Sequence, residues 1–143
     1  MDTKYAYMAG FVDADGSISI STVSSTKQYV PKLTVCNCNK TVVEMFEREF
    51  GGKVRERVWQ KHVNWRPNFE WTLTARKGRN AVLKLLPYLR IKRDQALLVV
   101  KLQGLKDTFN GAMRRWDREL DAKCDLVYRK IKDRCKALNK RGK

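Results

Sequence analysis

Hydrophobic and polar positions along this chain recur with two periods, and the switches between them outline its elements. From Ala6 to Asp13 the spacing is helical. Met8, Phe11 and Val12 form an apolar face suited to a core, while Ala6, Ala9, Gly10 and Asp13 fall three and four apart on a face nearly devoid of bulk. From Ser17 to Val23 the period drops to two, with Ile18 and Ile20 set against Ser19 and Ser21, the pattern of a half-buried strand. Lys32 to Asn37 repeats it, Leu33 and Val35 opposing Lys32, Thr34 and Cys36, and Ser24 to Gln28 between them reads as an exposed turn. Thr41 and Glu44 form a capping box ahead of Val42, Val43, Phe46 and Phe50, and Gly51-Gly52 closes that helix. A second hairpin follows. Val54 and Val58 oppose Arg55, Arg57, Trp59 and Lys61, and Phe69, Trp71 and Leu73 oppose Asn68, Glu70, Thr72 and Thr74. Asn80 is predicted to cap a helix through Val82, Leu85, Leu86 and Leu89.

These elements give an α+β fold in the order αββαββα, its two antiparallel hairpins forming one curved sheet. Two C-terminal helices complete it, about Asp94–Leu105 and about Ala112–Leu138, the latter packing through Trp116, Leu120, Cys124, Val127, Ile131 and Leu138. The tail Lys136–Lys143 reads as a solvated basic end. The expectation is a single domain over 1–143, with a core to about residue 105 and a helical region beyond.

Charge narrows the partners. The 31 Lys and Arg exceed the 15 Asp and Glu, giving a net charge of +16, and a surplus of that size implies a polyanion, nucleic acid first; the plain alternative is a merely soluble basic protein. No apolar run approaches the ~20 residues that span a bilayer, and no signal-peptide pattern opens the chain, so no membrane partner and an intracellular location, organelle or prokaryotic cytoplasm, are expected. The cysteines, Cys36, Cys38, Cys124 and Cys135, match no common zinc spacing and read as reduced thiols. With His62 as the only histidine, a Ser-His-Asp triad is excluded.

The candidate chemistry sits at Met8-Ala9-Gly10-Phe11-Val12-Asp13-Ala14-Asp15-Gly16, where a small-faced helix runs into two carboxylates and a glycine suited to a left-handed helix end. Carboxylates at a helix C-terminus are disfavoured by about 0.3–1 kcal/mol, so something positive should offset them. On spacing alone the pair fits either an Asp-x-Asp-Gly turn before a strand or a metal site shared between two paired helices. A hard cation such as Mg²⁺ suits the second. The outer faces of the hairpins are the other candidate. Arg55 and Arg57 share a side and suit bidentate contact with guanine, and Ser19, Ser21, Lys32, Thr34, Asn68, Glu70 and Thr72 add shorter donors and acceptors for base edges. Lys27, Lys61, Arg66, Arg76, Lys77 and Arg79 fall in turns and loops, where phosphates are met. Trp59 and Trp65 suit either base stacking or packing within the hairpin.

The opening motif and the order of elements resemble the LAGLIDADG homing endonucleases, in particular the single-motif, homodimeric kind. Leu86-Pro87-Tyr88-Leu89-Arg90-Ile91-Lys92-Arg93-Asp94-Gln95-Ala96 is similar to the segment that carries this family's active-site lysine. The resemblance covers about residues 1–105. It implies a site-specific double-strand DNA endonuclease acting as a homodimer on a long, near-palindromic site, with Mg²⁺ or Mn²⁺ supporting cleavage and Ca²⁺ binding without it. It further implies Asp15 as catalytic carboxylate and metal ligand, the Ala14 carbonyl as a second ligand, Lys92 and Asn39 in the catalytic solvent network, and Ala6, Ala9, Gly10 and Asp13 at the dimer interface. Ser19, Ser21, Lys32, Thr34, Cys36, Arg55, Arg57, Trp59, Lys61, Asn68, Glu70 and Thr72 would then face DNA. Val43 departs from the family at a position that can hold arginine. The alternative is a non-cleaving nucleic-acid-binding protein of the same fold, such as an intron-RNA splicing factor or a DNA-binding regulator.

Overall fold

The opening motif folds as helix α1, Thr3–Asp15, in the computed structural model, which describes residues 2–25, 28–58, 66–112 and 118–140 and, within them, every side chain except those of 109–112 and 118–122. Asp2 caps α1, its carboxylate accepting the Lys4 backbone N–H at 3.0 Å. The helix runs directly into strand β1, Gly16–Val23. In place of the left-handed conformation expected of Gly16, its φ of −91° and ψ of 174° are extended. Glycine is required there for space. A Cβ would stand 2.8 Å from the Val12 Cα and 2.9 Å from the Val12 carbonyl oxygen, so only a bare Cα lets the chain turn this sharply from helix to strand.

Strands β1, β2 (Gln28–Asn37), β3 (Val54–Arg57) and β4 (Asn68–Thr74) form one antiparallel sheet in the order β1-β2-β4-β3. Both expected hairpins are present, and β2 joins β4 to fuse them, Thr34 opposite Thr72 and Cys36 opposite Glu70. Alternation does the rest. Ile18, Ile20, Leu33, Val35, Trp71 and Leu73 turn inward and are buried, and the polar residues between them line the opposite face.

The helices cover the apolar face, and three of their details differ from expectation. Helix α2, Lys40–Phe50, is capped by Asn39, whose Oδ1 accepts the Val42 N–H at 3.4 Å, and not by the Thr41–Glu44 box. Its other end follows expectation, with Gly51 and Gly52 at φ 81° and 86°. Helix α3, Ala75–Leu85, begins as β4 ends and holds Asn80 in its interior, so Asn80 is not its cap. Gly78 permits this course, because a Cβ there would lie 3.0 Å from the Leu73 carbonyl oxygen. Arg76 and Arg79 therefore lie on a helix, not a loop, and their guanidinium groups pair with Asp107 at 3.0 and 3.8 Å.

After a short 3-10 turn, Leu86–Tyr88, come α4, Arg93–Ala112, and α5, Arg118–Asn139. Cys124 and Ile131 of the predicted stripe are buried, as is Cys135; Leu138 is half-buried, Val127 is exposed, and the side chains of Trp116 and Leu120 lie outside the described residues. Of the supposed solvated tail, 141–143 lie outside the described residues, and residues 136–139 close α5 and dock through Asn139. Its Nδ2 donates to the Ile18 carbonyl at 3.0 Å, and its Oδ1 accepts from the buried Gln95 at 3.2 Å. Among the described residues, no helix is long and apolar enough to cross a membrane.

Candidate active site and nucleic-acid interface

Three segments distant in sequence meet where α1 ends. Asp15 is exposed on the last residue of the helix, and Asn37, at the end of β2, donates Nδ2 to its Oδ2 at 3.1 Å. The segment after the 3-10 turn is held by Asp13, whose two oxygens accept the backbone N–H groups of Arg90 and Lys92, each at 2.9 Å. Lys92 returns the contact, Nζ donating to the Asp13 carbonyl oxygen at 2.6 Å. The positive charge called for by the helix end is thus supplied within the chain, by an ammonium set on one of the last carbonyls of α1. Burial pulls the Lys92 ammonium below its ordinary value, against the opposing influence of the Asp13 and Asp15 carboxylates.

Two expectations change here. Asp13, assigned to a helix seam, spends its carboxylate on the Arg90–Lys92 backbone, because the helix places it against that segment. Asn39, assigned to the solvent network, spends its carboxamide oxygen capping α2, while its backbone N–H donates to Asn37 Oδ1 at 2.8 Å. Asn37 is the residue that touches Asp15, and sequence reasoning passed it over. The hairpin register carries the signal: with Gly16 opposite Val35, the ladder continued past β1 brings Asn37 alongside the end of α1. Val43 is fully buried in the core and takes no part in the site.

The small-residue face is also rotated from its expected place. Ala9 is fully buried in the chain's own core with Met8 and Val12, so it is unavailable to a partner helix. Ala6 is half-buried. The exposed face of α1 is instead Thr3, Tyr7, Gly10 and Ala14, again three and four apart. A Cβ on Gly10 would meet nothing within 4 Å, so nothing inside this chain demands glycine there.

The outer sheet face forms a groove. Ser21, Lys32, Arg55, Arg57, Glu70 and Thr72 line it as expected, joined by Val23, Val30, Lys53 and Thr74. Ser19 lies opposite Lys32 in the β1–β2 ladder, and Asn68 opposite Arg57 in the β3–β4 ladder. Thr34 and Thr72 hydrogen-bond hydroxyl to hydroxyl at 3.1 Å, and Cys36 donates its thiol to Glu70 at 3.5 Å. Trp59 and Lys61 lie outside the described residues. Among the described residues, four cationic side chains and one carboxylate thus line this concave surface.

No protein-family model matches the chain. Individual relatives do. The DNA endonuclease I-CvuI of Chlorella vulgaris is 35% identical over 118 residues, spanning 73% of this chain and 68% of the relative. The DNA endonuclease I-CreI of Chlamydomonas reinhardtii is 31% identical over 109 residues, spanning 71% and 66%. In three dimensions, the homing endonuclease I-CvuI crystallised in complex with its target aligns with a TM-score of 0.75 at 28% identity, covering 99% of this chain and 84% of that one. The motif helix ending in Asp15, the latched Lys92, the fused hairpins and these relatives converge on one assignment: the chain belongs to the LAGLIDADG family of homing endonucleases.

Proposed function

We propose that this chain is a single-domain, homodimeric, Mg²⁺-dependent endonuclease of the cell interior that cuts both strands of a long, near-palindromic DNA site. One observation carries the reading. An exposed carboxylate, Asp15, is oriented by Asn37 beside the half-buried ammonium of Lys92, in a chain whose sheet presents a groove lined with Lys and Arg. Phosphodiester hydrolysis needs a polarised phosphate, a positioned water and an environment that stabilises developing negative charge.

Among the described residues, no three His, Cys, Asp or Glu side chains come together as a metal cage. Pairing α1 with a second copy across Tyr7, Gly10 and Ala14 would bring two Asp15 carboxylates and two Ala14 carbonyls together. That all-oxygen donor set fits Mg²⁺, whose remaining positions go to water and substrate phosphate. When bound, the metal supplies Lewis acidity and lowers the pKa of a bound water. The chain does the rest: Asn37 fixes the Asp15 carboxylate, Asp13 fixes the Lys92 backbone, and the Lys92 ammonium faces the charge that develops on the phosphate.

A randomised double-stranded DNA library tests this. With Mg²⁺ or Mn²⁺ the protein should cut a discrete, near-palindromic set of sequences on both strands, and with Ca²⁺ it should retain the same set uncut. Specific retention without cutting in Mg²⁺ would identify instead a non-cleaving nucleic-acid-binding protein of this fold, such as an intron-RNA splicing factor.

Lys92→Met separates chemistry from stability. An apolar side chain of similar length relieves the burial of the ammonium but forfeits its bond to the Asp13 carbonyl oxygen, so stability should change by no more than about 1 kcal/mol. Cleavage should fall by about 10²–10³-fold, the usual cost of removing one preorganised stabilising group. A rate within twofold of the parent would remove Lys92 from the site.

A further inference from the structure

The two arginines of β3 share a face and a strand, yet the structure treats them differently. Arg57 is tied down. Its Nη2 lies 2.9 and 3.0 Å from the two carboxylate oxygens of Glu70, although the residue directly opposite Arg57 in the ladder is Asn68 and the residue opposite Glu70 is Arg55. Arg57 therefore reaches diagonally across the sheet. Arg55, beside the same carboxylate in register, has no ion-pair or hydrogen-bond partner among the described residues.

Glu70 is itself held in place. Its side chain is only 16% exposed, against 56% for Arg57, so the carboxylate is the fixed member and the guanidinium the presented one. The Thr72 hydroxyl donates to Oε1 at 3.5 Å, and the Cys36 thiol donates to Oε2 at 3.5 Å. Burial and the Glu70 charge both push the Cys36 thiol up from its ordinary value, which keeps the S–H in place as a donor. Among the described residues, Glu70 is also the only acid lining the groove. A surface that only gathered phosphates would gain nothing from a carboxylate there.

We propose that Glu70 is a positioning residue for base recognition: clamped by Cys36 and Thr72, it holds one edge of the Arg57 guanidinium so that the remaining N–H groups point in a fixed direction and select one guanine in each half-site. The inference rests on the DNA-cutting function proposed above. The chemistry is that of forked recognition, in which two parallel N–H groups match guanine O6 and N7, a match that depends on the plane of the guanidinium. Ordering the side chain before DNA arrives reduces the entropy lost on contact. Arg55, without such a clamp, adapts to whatever phosphate or base edge is near.

Selection of cleaved sites from a randomised library, position by position, tests the inference. Arg57→Ala should erase preference at one position per half-site. Glu70→Gln keeps the shape but loses the charge, and should weaken preference at that same position by about tenfold while leaving the others intact. The double variant should be no less selective there than Arg57→Ala alone. Cys36→Ser, which retains a donor, should keep the preference, and Cys36→Val should lower it. Thermal melts of each variant exclude loss of fold as the cause. If Glu70→Gln leaves that position unchanged, or alters a position that Arg57→Ala does not, the clamp is overturned, the second result meaning that Glu70 reads a base itself. A wild-type chain that selects no site overturns the endonuclease reading and this inference with it; a selective wild type indifferent to Glu70→Gln overturns this inference alone.

Discussion

Asp15→Asn is expected to reduce cleavage by at least about 10³-fold, some 4 kcal/mol of barrier, while specific DNA binding is retained or strengthened. The substitution keeps the size of the side chain and an oxygen that can still accept the Asn37 hydrogen bond, so the local geometry persists. What it removes is the negative charge that a divalent cation requires. Because Asp15 is exposed, losing that charge also lessens repulsion toward any phosphate brought near it. Gel-shift titration in Ca²⁺ beside a cleavage time course in Mg²⁺ measures both effects on one preparation. Retained cleavage with lost binding would reverse the assignment and move the catalytic carboxylate elsewhere.

The second large effect should come from Gly10→Leu, with opposite signs for the monomer and the dimer. Inside the chain a Cβ at Gly10 meets nothing, so the isolated fold should tolerate leucine and gain up to about 1 kcal/mol from the improved helix former. Between two closely packed helices the same side chain would hold the backbones apart, and a site assembled from two Asp15 residues would not form. Sedimentation should show a monomer with a normal or raised thermal midpoint, and cutting of the full site should be lost. Ala9→Leu provides the contrast. Ala9 is fully buried beside Met8 and Val12, so the added bulk should destabilise the monomer itself by about 1–3 kcal/mol. If Gly10→Leu stayed dimeric and active, the exposed face of α1 would not be the subunit interface.

These neighbouring positions show where sequence reasoning reached its limit. Spacing recognised a helix with a small-residue face, but a helix has many ways to turn that face. Spacing set Ala6, Ala9, Gly10 and Asp13 on the open face, whereas Ala9 is buried and the exposed face is Thr3, Tyr7, Gly10 and Ala14. The same kind of shift separates Asn39 from Asn37. Both are carboxamides near the end of a strand, and only the pairing of Gly16 with Val35 decides which one lies against Asp15. Arg76 and Arg79 are a third case: their charge suggested phosphate contacts, but Asp107 sits one helix away and is invisible to local pattern.

Several features needed no tertiary structure. A period of two specified the strands and their inward and outward sides, because adjacent residues on a strand cannot share a face. A period near 3.6, punctuated by Gly51-Gly52, specified where α2 runs and stops. The nine-residue motif with Lys92 in its separate segment named the family, and net charge named the class of partner. Tertiary structure alone decided what each polar side chain does with its hydrogen bonds. Asp13 became a latch for Arg90 and Lys92, Asn139 an anchor on Ile18, and Glu70 a clamp on Arg57. The physical reason is range. Periodicity arises from the geometry of the local backbone, whereas a hydrogen bond of about 3 Å between residues far apart in sequence depends on how every intervening element packs.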